Sequence, residues 1–118
     1  MINQMRIYGL YQDTREAFLD RFRDHAARIM RDVHGFRILA MWETRRADGA
    51  PAFAYLLSWR DAAEMAAAWE GFMADAEWAA IKAETAAQGL RMVSGIEDLT
   101  LSPTEFSAPL ESAAEPAA

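Results

Sequence analysis

The hydrophobic and polar positions at the start of the chain predict a strand followed by a helix. Residues 4–10, QMRIYGL, are apolar or aromatic without helical spacing, which favours a strand. Asp13, with Glu16 three positions further on, has the form of a capping box. An amphipathic helix with Gly35 as its C-cap is predicted from apolar residues at i, i+3 and i+4 spacing: Phe18, Leu19, Phe22, Ala26, Ile29, Met30 and Val33.

Two runs of β-favouring residues follow, and their pattern predicts a hairpin. The runs cover residues 36–45 and 51–59, and the Asp48-Gly49 pair between them is typical of a tight turn. Side chains alternate between the two faces of a strand. One face of the first run is therefore expected to carry Phe36, Ile38, Ala40 and Trp42, and one face of the second run Phe53, Tyr55, Leu57 and Trp59.

The rest of the pattern predicts a second helix and a last strand. Asp61 with Glu64 again has the form of a capping box, and Asp75 restarts or continues the helix as far as Gly89. Residues 90–101 have the composition of a final strand.

The element order is thus β-α-β-β-α-β, which is typical of the ferredoxin-like α+β fold: a four-stranded antiparallel sheet with both helices on one face. We expect residues 1–110 to form this domain and residues 111–118, rich in Ala and Glu, to form a disordered tail. Both faces of the hairpin carry apolar side chains, so the face that the helices leave uncovered needs another cover. We therefore expect a homodimer, in which two sheets pack face to face as a dimeric α/β barrel.

Composition excludes several classes of function. Eighteen Asp and Glu against twelve Lys and Arg give the 118 residues a net charge of −6, which disfavours nucleic acids and anionic membranes as partners. The chain has no cysteine, which removes disulfides, thiolate nucleophiles and cysteine-ligated metals. The first residues do not resemble a signal peptide and no apolar run is long enough to span a membrane, so we expect a cytoplasmic protein.

His25 is the candidate catalytic residue. Helical spacing places it with Phe18, Phe22 and Ile29, on the helix face expected to pack against the sheet. Histidine exchanges a proton near neutral pH without a large pKa shift, whereas the alternative is a partly buried histidine that serves only packing and hydrogen bonding. His34 lies about 13–14 Å further along the helix, so the two histidines cannot share a metal ion. We expect no metal site and no cofactor, and we expect His34 to cap carbonyl groups at the helix end.

Arg6 and Tyr8 share one face of the first strand and form a candidate anion-binding corner. If this face turns to the helices, Arg6 would hold a carboxylate or enolate while His25 moves a proton. If it turns to a second subunit, Arg6 would pair with an acid such as Glu43. The sequence favours the second alternative.

Aromatic residues complete the candidate ligand-binding set. Aromatic side chains at core spacing pack more often than they bind ligands, but together with methionines they would line a cavity for a flat apolar or aromatic molecule. Besides Arg6 and Tyr8, the set consists of Phe22, Trp42, Tyr55, Trp59, Trp69 and Trp78.

Five features occur in an order and spacing that is characteristic of a known family. They are QMRIY at 4–8, HGF at 34–36, the strand that carries Trp42, ADAEW at 74–78 and LSPTEFS at 101–107. Together they resemble the NIPSNAP family over roughly residues 4–110. The resemblance implies a dimeric α+β barrel. NIPSNAP proteins are mostly of unsettled molecular function, and related barrel families include cofactor-independent monooxygenases, isomerases, lyases and haem enzymes.

The sequence therefore favours a dimeric barrel protein that binds a small, largely apolar or aromatic molecule in the cleft between sheet and helices. Cofactor-independent proton transfer through His25, of the isomerase, lyase or monooxygenase type, is the reaction this implies. The alternative is a non-enzymatic protein-interaction or adaptor module. A void of about 300 Å³ or more beside His25 would favour the ligand site, and a filled core would favour the module.

Overall fold

The computed structural model describes residues 1–110, in which a four-stranded antiparallel sheet carries its helices on one face. The sheet order, β2-β3-β1-β4, is that of the predicted ferredoxin-like fold, so the predicted fold class is confirmed. The predicted tail, residues 111–118, lies outside the described residues. The strands are β1 (Ile2–Leu10), β2 (Arg37–Arg45), β3 (Pro51–Trp59) and β4 (Val93–Leu101), and the helices are α1 (Arg15–Arg21), α2 (Ala27–His34), α3 (Ala62–Met73) and α4 (Ala76–Ala87).

The first helix is nearly continuous but contains an irregular turn. A π-helical turn, Phe22–Ala26, joins α1 to α2, and the helix ends at His34 as predicted. Gly35 follows with a φ of 71°, and the amide of Phe36 donates to the carbonyl oxygen of Met30 at 2.9 Å, which is a glycine-terminated helix end.

The predicted capping box at the start of this helix is wrong. A 3-10 turn, Gln12–Thr14, precedes α1, and no side chain of the described residues caps either element. The Thr14 hydroxyl instead donates to the carbonyl oxygen of Arg91 at 2.7 Å. This bond ties the helix start to the segment that leads into β4.

The second predicted helix is two helices, because Asp75 restarts it. Asp61 caps α3 by accepting from the amide of Glu64 at 2.8 Å, and Asp75 caps α4 by accepting from the amide of Trp78 at 2.9 Å. The second carboxylate oxygen of Asp75 lies 2.9 Å from Nε2 of His34. The pKa of Asp75 lies below its usual value, mainly because the Trp78 amide donates to the carboxylate and to a smaller extent because His34 bonds it. His34 thus bonds the residue that caps α4, whereas the sequence predicted that it would cap carbonyl groups at the end of its own helix.

Central strand β1 divides its side chains cleanly between the two faces of the sheet. Cross-strand partners share a face. Arg6 lies opposite Tyr55 and Asp98, so these residues point to the helices, and Gln4 and Tyr8 share their side of β1. The opposite side, here called the open face, carries Met5, Ile7, Ala54, Leu56, Leu99 and Leu101.

A bulge at Leu39 reverses the alternation along β2. The extra residue exchanges the faces of all side chains that follow it. Met41 and Glu43 therefore turn to the helices, whereas Trp42 takes a position on the open face. The prediction that Trp42 shares a face with Ile38 is wrong for this reason. The pairs that show the reversal are Ile38 with Leu57, Ala40 with Leu56 and Trp42 with Ala54.

The hydrophobic core lies between the helices and the helix-facing side of the sheet. Its largest fully buried side chains are Phe18, Ile29, Met30, Tyr55, Leu57 and Trp59. Within residues 1–110, none of the helices has both the length and the apolar character that a membrane crossing requires.

We expect Gly35→Ala to lower the free energy of unfolding by about 1–2 kcal/mol, because a side chain strains the left-handed backbone that ends the helix. A Cβ at this position would meet no atom within 4 Å, so the loss would come from the backbone alone. Urea denaturation measures it. Gly95→Ala is the matched control, because Gly95 also has open space but no positive φ. Equal losses in the two variants would contradict the assignment.

Candidate functional site

The helix-facing side of β1 is polar, although it lies against the core. Gln4, Arg6 and Tyr8 occupy successive helix-facing positions, and Tyr55 of β3 and Asp98 of β4 flank them. We call these five residues the polar strip. A buried polar group is costly unless it is hydrogen-bonded, so the partners of each residue decide whether the strip is stable.

Arg6 is the charge at the centre of the polar strip, and its side chain is only 16% exposed. One terminal nitrogen donates to Asp98 at 2.9 Å and the other donates to the Tyr8 hydroxyl at 3.2 Å. The guanidinium carbon lies 4.4 Å from the ring centroid of Trp69 on α3, in cation–π geometry. Burial works to lower the pKa of Arg6, but Tyr8 and Tyr55 more than offset it, so the pKa lies above its usual value.

The two tyrosines of the polar strip form a buried phenol pair. Their hydroxyl oxygens lie 2.7 Å apart, and Tyr55 is completely buried. Burial raises the pKa of Tyr55 well above its usual value, and the neighbouring Tyr8 raises it further. Tyr55 is therefore held as a neutral phenol.

Gln4 links the polar strip to two tryptophans. Its side-chain carbonyl oxygen accepts from the indole nitrogens of Trp59 at 2.9 Å and of Trp69 at 2.7 Å. Its amide nitrogen donates to Asp98 at 2.8 Å. The amide of one buried glutamine thus orients a strand tryptophan, a helix tryptophan and the carboxylate that holds Arg6.

The structure gathers most of the predicted ligand-binding residues around the polar strip. Arg6, Tyr8, Tyr55, Trp59 and Trp69 belong to it or contact it directly. Because these groups bond one another, their arrangement stabilises the core, and among the described residues the buried Nε of Arg6 is left without a partner.

One predicted pairing is wrong. Arg6 faces the helices and pairs with Asp98, whereas Glu43 pairs with Arg15 of α1. The reason is the register, because Asp98 lies directly opposite Arg6 on the neighbouring strand.

Trp78 lies away from the polar strip. Its ring stacks on Phe72 with centroids 5.4 Å apart, and the Arg21 guanidinium lies 5.2 Å from its centroid. Trp78 therefore packs the helices together.

A depression of about 350 Å³ lies between the first helix and strands β2 and β3. We call it the sheet–helix cleft. The rings of Phe22 and Phe53, with centroids 4.7 Å apart, form its floor, and Phe22 also packs on Tyr55 at 5.0 Å. The remaining lining residues are Leu19, Arg23, Ala27, Arg31, Met41, Trp42 and Glu43. Trp42 is 47% exposed and lies where the cleft borders the open face.

His25 lies in a different depression. This groove, of about 400 Å³, runs between the first helix and α4, and Asp20, Asp24 and Glu84 give it an acidic lining. The Nδ1 atom of His25 is buried and has no hydrogen-bond partner among the described residues. The volume meets the criterion set for a ligand site beside His25, but Arg6 and Tyr8 do not line the groove. Proton transfer by His25 stays a prediction.

The π-helical turn lies between the two depressions. Phe22, its first residue, forms part of the cleft floor, and His25 lines the groove. Such turns inside α-helices are frequently found at functional sites. The irregular turn therefore marks this part of the helix as the candidate functional region.

Sequence reasoning missed Gln4 and Asp98 in the polar strip and Arg31 in the cleft. Gln4 could have been found, because it precedes Arg6 and Tyr8 at the same period of two. The place of Asp98 beside Arg6 depends on strand register, which carries no local sequence signal. In the part of the chain that the structure describes, no group of three or more His, Cys, Asp or Glu residues could hold a metal ion.

Comparison with known proteins places the chain in a structural context. The NIPSNAP family model matches residues 3–108. An uncharacterized NIPSNAP domain protein from Burkholderia xenovorans is 21% identical, with a TM-score of 0.72 over 92% of this chain and 100% of that chain. A NIPSNAP family protein from Agrobacterium tumefaciens strain C58 is 19% identical, with a TM-score of 0.76 over 93% of this chain and 98% of that chain.

The fold also extends to enzymes. A monooxygenase from Streptomyces coelicolor, solved in complex with nanaomycin D, is 14% identical, with a TM-score of 0.54 over 92% of this chain and 92% of that chain. No curated protein matches the chain. At these identities the solved structures establish the fold alone.

The raised pKa of Tyr55 predicts a loss of stability at alkaline pH. The unfolded chain releases the phenol proton near pH 10, whereas the folded chain retains it, so the contribution is fully present below about pH 10 and is lost as the pH rises further. The free energy of unfolding should fall by up to about 1.4 kcal/mol per pH unit from this group alone. Urea denaturation between pH 8 and 11 would measure it.

Tyr55→Phe should flatten this alkaline loss of stability. The variant also removes the hydrogen bond between the two phenols, while the Tyr8 hydroxyl keeps its bond from Arg6. Tyr11→Phe is the matched control, because the Tyr11 hydroxyl bonds Arg91 at the surface. The same alkaline slope in the wild type and in Tyr55→Phe would refute the assignment.

Proposed function

The chain belongs to the NIPSNAP family, and on that premise we propose that it binds a small, largely apolar or aromatic molecule in the sheet–helix cleft. The observation that carries the proposal is the cleft itself, with about 350 Å³ of space over a floor of two aromatic rings. Pockets for small molecules begin at about 300 Å³ and are lined mainly by apolar and aromatic groups. The cleft has both properties.

The aromatic floor favours a flat ligand. Phe22 and Phe53 are 4% and 5% exposed and lie at an interplanar angle of 56°, so a planar molecule would contact the small part of each ring that reaches the cleft. The Met41 side chain, on the wall, adapts its shape to the ligand. The Streptomyces coelicolor monooxygenase, solved in complex with nanaomycin D, supports the proposal in that a protein of similar fold binds a small organic ligand.

Within the cleft, the geometry favours binding over proton transfer. Glu43 is the carboxylate of the lining, and Arg15 of α1 holds it in an ion pair. An ion-paired carboxylate is a poor general base. His25, which could exchange a proton, lines the other groove. By the criterion of a void beside His25, the groove of about 400 Å³ favours a ligand site over the alternative, a non-enzymatic interaction module.

A second copy of the chain is the proposed cover of the open face. Leu99 and Leu101 are 48% and 40% exposed, and Leu56 and Met5 lie beside them on the same side of the sheet. Each copy presents the same apolar surface, so a two-fold axis would bury both at once. The helices meanwhile keep the cleft on the other side of each sheet.

We expect Met41→Ala to weaken the binding of 2-naphthamide about fivefold, because the variant removes apolar contact from the cleft wall. Isothermal titration calorimetry measures the affinity. Met73→Ala is the matched control, because Met73 is exposed on α3 and lines neither depression.

Two results would overturn the binding proposal. One is that the wild type binds neither 2-naphthamide nor the corresponding acid, 2-naphthoate. The other is that Leu90→Ala, in the His25 groove, weakens binding while Met41→Ala does not, since the ligand would then occupy the groove.

Sedimentation equilibrium at micromolar concentration should give a mass close to twice the 13.2 kDa of one chain. Leu56→Arg should give folded monomers, because the substitution places a charge in the middle of the buried face. Leu90→Arg, away from the open face, should leave the dimer intact, and circular dichroism would show that both variants are folded. A monomeric wild type would contradict the dimer.

A further inference from the structure

We propose that Arg31 makes the sheet–helix cleft selective for ligands that carry an anionic group, such as an aromatic carboxylate. The inference rests on the proposed function and deepens it by naming the ligand class. The apolar body of the ligand would lie on Phe22 and Phe53, and its carboxylate would lie at the rim, against the Arg31 guanidinium.

Charge at the rim supports the proposal. Three charged residues line the cleft, and two of them already have partners. Arg23 bonds Asp24 at 2.8 and 3.0 Å, and Glu43 pairs with Arg15 of α1. Each of these pairs is internally neutral, so neither attracts a charged ligand strongly.

Arg31 is the cation of the lining that is left without a counterion. Within residues 1–110 it has no ion pair and no side-chain hydrogen bond, and it lies in the last turn of α2 beside the cleft. The chain as a whole has a net charge of −6, so a cationic rim departs from its average surface. An unpaired positive charge next to an apolar floor matches the two ends of an aromatic acid.

The guanidinium suits a carboxylate in geometry as well as in charge. Its planar nitrogens donate two parallel hydrogen bonds to the two carboxylate oxygens, which an amide or ester cannot accept in the same way. Because Arg31 is exposed, water and salt weaken the attraction. The preference should therefore be about fivefold and should fall with ionic strength.

The alternative role for Arg31 is to stabilise the helix. A basic residue in the last turn interacts favourably with the helix dipole. That role affects the stability of the protein, but it gives no preference between two ligands of the same shape. Ligand discrimination, not stability, is therefore the property to measure.

The experiment compares 2-naphthoate with its neutral isostere 2-naphthamide by isothermal titration calorimetry at pH 7.5. The wild type should bind the acid about fivefold more tightly at an ionic strength of about 0.01 M, and this ratio should approach one at about 1 M. Arg31→Gln should weaken the binding of 2-naphthoate more than that of 2-naphthamide, so that the ratio approaches one even at low ionic strength. Arg60→Gln, which changes the net charge equally at an exposed site outside the cleft, should keep the ratio.

Three other outcomes would each overturn a different part of the proposal. If both probes bind equally to the wild type, the anion preference fails and the binding function stands. If Arg31→Gln and Arg60→Gln reduce the ratio equally, the preference comes from overall charge and the assignment to Arg31 fails. If neither probe binds, the proposed function fails and this inference fails with it.

Discussion

A charged guanidinium that faces the core must be matched by partners, and the arrangement of the sheet and helices depends on how Arg6 is matched. Asp98 brings β4 to it, Tyr8 connects it to Tyr55 on β3, and Trp69 brings α3 over its face. Gln4 holds Asp98 and Trp69 in place through the same amide group. Removing one member of such a network leaves its neighbours buried and unsatisfied, so the network acts as a unit.

The fold could be predicted because its signals are local. Period-two runs, an Asp-Gly turn and Gly35 after an amphipathic stretch each fix an element without any tertiary information. The shared face of Arg6 and Tyr8 followed from the same alternation, and it is confirmed. The partner of Arg6 did not follow, because the strand that lies beside β1, and its register, are decided by packing of the whole chain.

Two local irregularities explain most of what the sequence did not predict about the site. A π-helical turn has i→i+5 hydrogen bonds, so residues after its start no longer follow the 3.6-residue period, and His25 lines the α4 side of the helix. The bulge at Leu39 has the same effect on the two-residue period of β2, and it moves Trp42 to the open face. Phe22, at the first residue of the π-helical turn, still lies where regular spacing places it.

Beyond the bulge at Leu39, successive side chains of β2 belong alternately to the sheet–helix cleft and to the open face. Deleting Leu39 would remove the extra residue and leave Met41, Trp42 and Glu43 on their present faces, because Ile38 and Ala40 already pair with the adjacent residues Leu57 and Leu56. Closing the bulge without losing a residue, so that Leu39 itself pairs with Leu56, would instead send Met41 and Glu43 to the open face and bring Trp42 toward the helices. Such a shift of register would exchange a ligand-contacting wall for an intersubunit surface in one step, whereas point substitutions alter the two surfaces one at a time.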